Sequence, residues 1–253
     1  MKNKDIILGV DVGGTGIKGG LVNVVTGELV SERHRIITPK PATPKAVALT
    51  FKELVDHFDY TGPVGVGFPA IVRRGVALSA ANVSQKWIGT SIEATFEKVS
   101  KGTRIAALND ADAAGLADFT YGAGKDFQDK KVLLMTFGTG IGSALFENGE
   151  LIPNTEFGHV YLKGMDKVAE KYVSNLLRKE NDWTWQKFGK RLNEYLSHMD
   201  RLLSPDLMII GGGVSKHFEK YAPYLFVGSE VAPAQLLNAA GTVGAAMYAK
   251  AKL

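Results

Sequence analysis

The sequence predicts an α/β protein made of two halves of one design, and three observations carry that reading. "GVDVGGTGIKGG" (residues 9–20) and "TFGTGIGSAL" (residues 136–145) both place Gly-Thr-Gly-Ile directly after an apolar run. Each is followed by a similar turn, "TGELV" at Thr26–Val30 and "NGELI" at Asn148–Ile152; the offset is 124 residues from Gly14 to Gly138 and 122 from Gly27 to Gly149, the mark of an internal duplication. Short apolar runs of strand length alternate with helical patterns along the chain.

The elements follow in order. Ile6–Val10 is an apolar strand, and Ile17–Val25 and Glu28–Ile36 flank the turn "TG" as a hairpin. "TPKPATPKA" (Thr38–Ala46) is a proline-punctuated loop leading into a helix near Ala46–Phe58. "PVGVGFPAI" supplies a further strand, and Arg104–Leu108 another that runs into "NDADAAGLADF", with Asn109 and Asp110 at the start of a helix. The second half restarts with "KVLLMTF", its own glycine loop and its own hairpin. Two helices are expected at Asp166–Lys179 and Thr184–Leu203; the latter aligns Phe188, Leu192, Tyr195, Leu196, Met199 and Leu203 on one face, a stripe for a core or a dimer interface. Asp206–Lys216 reads as a strand, a triple-glycine turn and the start of a helix, and the small-residue tail as a helix in which Gly241 and Gly244 allow close packing. The expected domains are residues 1–119, with a C-terminal helix of about 241–253 packing back on them, and residues 120–240.

Composition narrows the function. A chain of 253 residues with 45% hydrophobic and 22% charged residues is ordinary for a globular protein of one large or two modest domains. No apolar run reaches the length of a membrane span, and the opening "MKNKDIILGVD" enters a strand within five residues, so the expected compartment is the cytoplasm, with no membrane partner. There is no cysteine, hence no disulfide framework and no thiolate zinc site. The net charge of +4 and pI near 9.0 fit a solvated basic surface or an affinity for a polyanion. Lys125, Lys130, Lys131, Lys163, Lys167, Lys171, Arg178 and Lys179 fall in one third of the chain and keep the second reading open. Nucleic acid fits poorly, because zinc-finger spacing, an RNP-like aromatic motif and a basic helix with heptads are all missing.

Gly14, Gly16 and Gly19 match the dinucleotide fingerprint as a pattern but not in context, since that motif must open a helix and "GGLVNVVTGELV" is β-rich. No Walker loop occurs. What remains is a strand–glycine turn–strand clip, whose backbone N–H groups can approach an anion because no Cβ intervenes. Thr15 and Thr139 add hydroxyl donors, and two such clips could grip a phosphate chain from both sides; the bland alternative is a pair of tight hairpins without a ligand. Asp11, ending its strand beside the first clip, is placed to hold Mg²⁺ directly or through water. Asp110 and Asp112 both suit a general base, and either also suits a helix start.

"GVDVGGTGIKGG", "LNDADAAG", "TFGTGIGSAL", "EFGH" and "IIGGGVSK" occur in the order and spacing of the ROK sugar kinases, within the actin-like, hexokinase-like ATPase superfamily. "GPVGVGFPAIVRRGV", "PNTEFGHV", "RLNEYLSHMDRLLSPDLMIIGGGVSK" and "VAPAQLLNAAGTVGAA" resemble the polyphosphate glucokinases, a branch of that family, and the resemblance spans essentially the whole chain. It implies two ribonuclease-H-like halves around an interdomain cleft, each giving one phosphate-binding hairpin, with closure excluding water.

The activity implied is transfer of a phosphoryl group to the 6-hydroxyl of glucose, with inorganic polyphosphate, ATP or both as donor; the alternative is an ATP-dependent kinase for mannose, fructose or an amino sugar. By the resemblance, Asp110 is the base and Asp112 a first-turn acid, while Asn82, Asn109, Glu156 and His159 hold the sugar. Gly13, Gly14, Thr15, Gly16 and Lys18 on one side, and Gly138, Thr139, Gly140 and Gly142 on the other, hold phosphates; Lys18 stands two positions beyond the lysine of many relatives. Gly211, Gly212 and Gly213 face the adenosine of a nucleotide donor. Many relatives carry a zinc motif after the "EFGH" histidine; the absence of cysteine removes it, so His159 is not carried over as a zinc ligand. Some relatives are transcriptional repressors with a preceding helix-turn-helix domain, whereas this chain starts at its first strand. A homodimer is also implied.

Overall fold

Backbone hydrogen bonding explains most departures from the expected elements. The computed structural model describes residues 4–100 and 102–253, and the chain forms two units, one running to Ala117 and resuming at Ala239, the other Asp118–Asn238.

In the first unit, β1 (Ile6–Val12) pairs antiparallel with β2 (Ile17–Asn23), with Asp11 opposite Lys18. The expected strand Glu28–Ile36 is broken into β3 (Glu28–Leu29) and β4 (His34–Ile36), both antiparallel to β2. The break has a local cause: the Ser31 hydroxyl takes the Leu21 N–H at 3.0 Å, replacing a ladder carbonyl. Helix α1 (Pro44–His57) is capped by the Thr43 side chain, which accepts from Ala46 N–H, and proline occupies its first turn, where a missing N–H costs nothing. It buries Val47, Phe51, Leu54 and Val55 against the sheet. Next come β5 (Val64–Phe68), parallel to β1, the small hairpin β6 (Val72–Arg73) and β7 (Val76–Ala77), α2 (Ile92–Glu97), β8 (Ile105–Asn109), parallel to β5, and α3 (Asp110–Tyr121).

The second unit repeats the plan. β9 (Val132–Phe137), β10 (Ile141–Glu147) and β11 (Glu150–Ile152) run antiparallel. After α4 (Asn175–Glu180) and α5 (Trp185–Leu203) come β12 (Leu207–Gly212), parallel to β9, and β13 (Glu230–Pro233), parallel to β12. The strand orders are β3-β2-β1-β5-β8 and β11-β10-β9-β12-β13, identical in sequence of directions, so the duplication legible in the glycine motifs extends to the topology. The α5 stripe lies in the core of this unit, with Phe188, Leu192, Tyr195, Leu196 and Met199 fully buried and Leu203 packed beside them, which decides for core over interface.

Two helical expectations are corrected. Residues 166–174 form no helix: Tyr161 and Val168 bridge, a single 3₁₀ turn covers Ala169–Lys171, and α4 begins only after Ser174, whose extended backbone and side chain cap it at Leu177 N–H. The segment after the triple glycine is a run of 3₁₀ turns over Ser215–Lys220, kinked at His217, rather than an α-helix.

The chain then returns to the first unit with α6 (Ala240–Lys252), packed on β1, β5 and β8. This contact requires glycine in the strands: a Cβ at Gly9 would meet the Thr242 carbonyl and one at Gly65 the Ala245 carbonyl. No helix among the described residues is long and apolar enough to cross a membrane.

Candidate active site

The first glycine turn joins β1 to β2 and is closed by Gly13 N–H donating to the Gly16 carbonyl at 3.0 Å. Three side chains from outside the turn fix it. Buried Thr38 donates to the Gly13 carbonyl, Arg35 Nη2 donates to the Thr15 carbonyl at 2.9 Å, and Asn82 packs so close to Gly14 that a Cβ there would lie 2.8 Å from its own Cβ. Asn82 has φ of 60°, a left-handed conformation that asparagine tolerates better than most residues. Thr15 is exposed at the tip.

Asn109 and Asp110 stand at the carboxyl ends of the same parallel strands, where open α/β sheets bind ligands. Asn109 is the helix cap: its Oδ1 accepts from Ala111 N–H (2.8 Å) and Asp112 N–H (3.1 Å), and its Nδ2 donates to the Ala70 carbonyl (3.0 Å). An amide has two acceptor sites and two donor hydrogens, so the Ala70 bond uses one of the two Nδ2 hydrogens. The neighbouring loop brings Asn82 to the same place, because Ala81 N–H donates to the Pro69 carbonyl at 3.0 Å. Asp110 is half-buried at the first helical position, with Oδ1 accepting from Ala111 N–H at 2.9 Å. Capping therefore falls to Asn109 rather than to either aspartate, and Asp112 is buried in the first turn.

Asp11 and Lys18 form an ion pair at 3.1 Å, with side chains 19% and 29% exposed. Lys18, expected at the phosphates, is held by this carboxylate. The cation beside the glycine turn is Arg35, which the sequence reading did not single out.

In the second unit, the turn between β9 and β10 is closed by Gly138 N–H to the Gly140 carbonyl at 3.0 Å, and Thr139 is again exposed. Glu156 reaches this turn through a set of β10 contacts. Ser143 donates to the Thr155 carbonyl at 2.7 Å and accepts from Phe157 N–H at 3.1 Å, while Gly158 lies against the Ile141 carbonyl. His159 Nδ1 is 3.4 Å from the Glu156 carboxylate. Burial pushes the Glu156 carboxyl above its ordinary value; His159 opposes this and Glu170 adds to it. Glu170 is the acid that sequence reasoning missed. Its carboxylate fills the space that a side chain at Gly140 would need, and Lys171 pairs with it at 3.0 Å.

The triple glycine adjoins the same turn. Gly211 and Gly212 end β12 opposite Thr136 and Phe137, and Gly212, with φ of 78°, lies too close to the Phe137 backbone for any side chain. Helix α4 touches both glycine segments: Leu176 N–H donates to the Gly138 carbonyl at 3.0 Å, and the Asn175 amide abuts Gly213. Gly142 follows the turn at the start of β10. Each unit thus gathers its own predicted residues: Asp11, Gly13–Gly16, Asn82, Asn109 and Asp110 in the first, and Gly138–Gly142, Glu156, His159 and Gly211–Gly213 in the second.

Two units of one strand order, each with a glycine turn between its first two strands, define an α/β protein of the actin-like ATPase fold. The chain belongs to the ROK family, whose sequence profile matches residues 7–172. It is 49% identical to the polyphosphate glucokinase of Mycobacterium tuberculosis (strain H37Rv) over 239 residues, 94% of this chain and 89% of that one. With the polyphosphate glucokinase of Mycobacterium leprae it shares 43% over 243 residues, 96% of this chain and 74% of that one. The crystal structure of an inorganic polyphosphate/ATP-glucomannokinase from Arthrobacter sp. strain KM superposes with a TM-score of 0.91 at 42% identity, covering 98% of this chain and 99% of that one. A ROK family glucokinase from Streptomyces griseus, solved with glucose and AMPPNP, shares the fold with a TM-score of 0.80 at 23% identity, covering 97% of this chain and 99% of that one.

Proposed function

We propose that this protein transfers a phosphoryl group to the 6-hydroxyl of glucose, with inorganic polyphosphate, ATP or both as donor. The observation that carries the reading is the 49% identity with a polyphosphate glucokinase over 94% of the chain. Asp110 is the base. Its carboxylate stands at the first turn of α3, and a loose transition state asks it mainly to align the hydroxyl and accept the proton late. Asn109 offers its remaining amide hydrogen, Asn82 its side chain beside the glycine turn, and Glu156, His159 and Glu170 supply acceptors and a donor for vicinal hydroxyls. Apart from the Gly13 and Gly138 N–H groups, which close the turns, the glycine turns at Gly13–Gly16 and Gly138–Gly142 offer backbone N–H groups to the donor's phosphates, and the Gly211–Gly213 segment beside the second turn is assigned to the adenosine of ATP.

Asp11 is the carboxylate assigned to magnesium. Among the described residues no group of three or more acidic or imidazole side chains could cage a metal, so Asp11 would hold Mg²⁺ together with donor phosphates and water. When bound, Mg²⁺ neutralises charge on the transferring phosphoryl group.

The test is formation of glucose 6-phosphate with long-chain polyphosphate and with ATP, compared by kcat/KM. Asp110→Asn keeps an oxygen for Ala111 N–H, and loss of at least about tenfold in kcat supports the base role. Mannose is a second acceptor worth assaying, because the Arthrobacter relative is named a glucomannokinase. The ratio of kcat/KM values for the two hexoses decides between them.

A further inference from the structure

Asp11, Lys18 and Arg35 occupy directly opposed positions on three neighbouring strands, β1, β2 and β4, and so stand in one row on one face of the sheet. Two cations directly opposite each other repel, and the row resolves this by leaning them apart. Lys18 turns to Asp11 at 3.1 Å. Arg35 turns the other way, onto the glycine turn. Its Nη2 donates to the Thr15 carbonyl at 2.9 Å and its guanidinium lies where a side chain at Gly16 would have to be. Gly16 is thus what lets a guanidinium lie on the turn. Among the described residues no carboxylate lies within ion-pair distance of Arg35, and the residue is exposed.

We propose that Arg35 is the cation that binds the donor's phosphates at the first glycine turn, and that Lys18 is the counter-ion of Asp11. This rests on the phosphoryl-transfer reading above. The guanidinium has five N–H donors and spends one on Thr15, so a planar pair remains for phosphate oxygens, the geometry in which arginine binds phosphate best. The same bond ties the cation to the tip of the turn whose N–H groups face the anion. An ammonium engaged by a carboxylate would first have to leave it.

The experiment separates charge from bracing. Binding of inorganic tripolyphosphate in the presence of Mg²⁺ is measured by calorimetry for the wild type, Arg35→Gln and Arg35→Lys, alongside KM for polyphosphate and for glucose. Glutamine carries no charge and ends two bonds short of the Nη2 that reaches the Thr15 carbonyl, so the melting temperature is recorded for each variant to register any loss of bracing. The expected result is a loss of about tenfold or more for Arg35→Gln, the range of a hydrogen bond to a charged group, with glucose KM and melting temperature unchanged, and a smaller but measurable loss for Arg35→Lys, which keeps the charge without the planar pair. Wild-type affinity in Arg35→Gln overturns the proposal. So does an equal loss in both variants accompanied by a lower melting temperature, which would make Arg35 a brace only, and so does a wild type that does not bind tripolyphosphate. A wild type that binds it through Arg35 yet phosphorylates no hexose leaves the Arg35 site standing and removes the kinase reading instead.

Discussion

Ser143 holds Thr155 by two hydroxyl contacts: its Oγ donates to the Thr155 carbonyl at 2.7 Å and lies 3.1 Å from the Thr155 hydroxyl. Ser143 is itself buried and also accepts from Phe157 N–H, so one strand residue anchors both flanks of Glu156. Ser143→Ala leaves the Thr155 carbonyl and the Phe157 N–H without this partner. The expected cost is about 1–3 kcal/mol in urea unfolding. Because the anchored segment bears Glu156 and His159, KM for the sugar should rise more than KM for the donor. Equal changes in both would mean that the anchor serves stability alone.

In the proposed sugar site an ionised Glu156 is the stronger, acceptor-only partner for sugar hydroxyls, and burial raises its pKa. The acid limb of kcat/KM should therefore lie at higher pH than an exposed glutamate would give. Glu170 adds to the rise and His159 opposes it, so Glu170→Gln should move that limb to lower pH and His159→Ala to higher pH. Stability runs the other way. A carboxyl whose folded pKa exceeds its unfolded one contributes stability that is fully present below the unfolded value and is lost as pH rises through the folded value. Glu156→Gln should thus be at least as stable as wild type at neutral pH while losing sugar affinity. A less stable Glu156→Gln protein at pH 7 contradicts this.

How much of this site was legible follows from how local each signal is. The glycine turns announce themselves because the chain must turn tightly after an apolar strand, and their repetition foretold the common strand order. The proline-punctuated loop led into a helix expected near Ala46, which begins at Pro44 behind the Thr43 cap, and the α5 stripe marked a buried face without saying whether core or interface, since both patterns are local in sequence. Glu170 was hidden because its partners, Gly140 and Glu156, are distant in sequence and its own surroundings mimic a helix: Val168, Tyr172 and Leu176 recur at helical spacing, yet Ser174 interrupts the backbone. Arg35 was hidden by register. Its position opposite Lys18 depends on the break at Ser31, which a continuous strand over Glu28–Ile36 would not contain.

Asn109 combines two duties that substitution can separate. Its Oδ1 caps α3, while its Nδ2 holds the Ala70 carbonyl and, in the proposed sugar site, offers its other hydrogen to glucose. Serine caps helices about as well as asparagine but is too short to offer that amide hydrogen, so Asn109→Ser should keep the helix and lose the donor. Asn109→Ala loses the cap as well, at about 0.5–2 kcal/mol. The expected order in thermal unfolding is wild type, then Ser, then Ala, whereas both variants should show a similarly raised glucose KM. If glucose KM instead tracks stability through the series, Asn109 acts only as a cap.

Tyr195 tests the core in isolation from the site. It lies fully buried on α5, its ring edge-on to Phe137 at 6.1 Å, and its hydroxyl has no hydrogen-bond partner among the described residues. Burial alone holds the phenol far above its ordinary pKa, the mark of a polar group taken out of water without compensation. Phenylalanine keeps the ring and its packing and removes the uncompensated hydroxyl, whose desolvation costs about 1–3 kcal/mol on protein scales. The removed oxygen leaves a small void that returns part of this gain. Tyr195→Phe should therefore unfold at the same or a higher urea midpoint with an unchanged slope, and with kcat/KM for glucose at the wild-type value. A loss of more than about 1 kcal/mol would show that the hydroxyl has a partner, such as a buried water, worth a normal hydrogen bond.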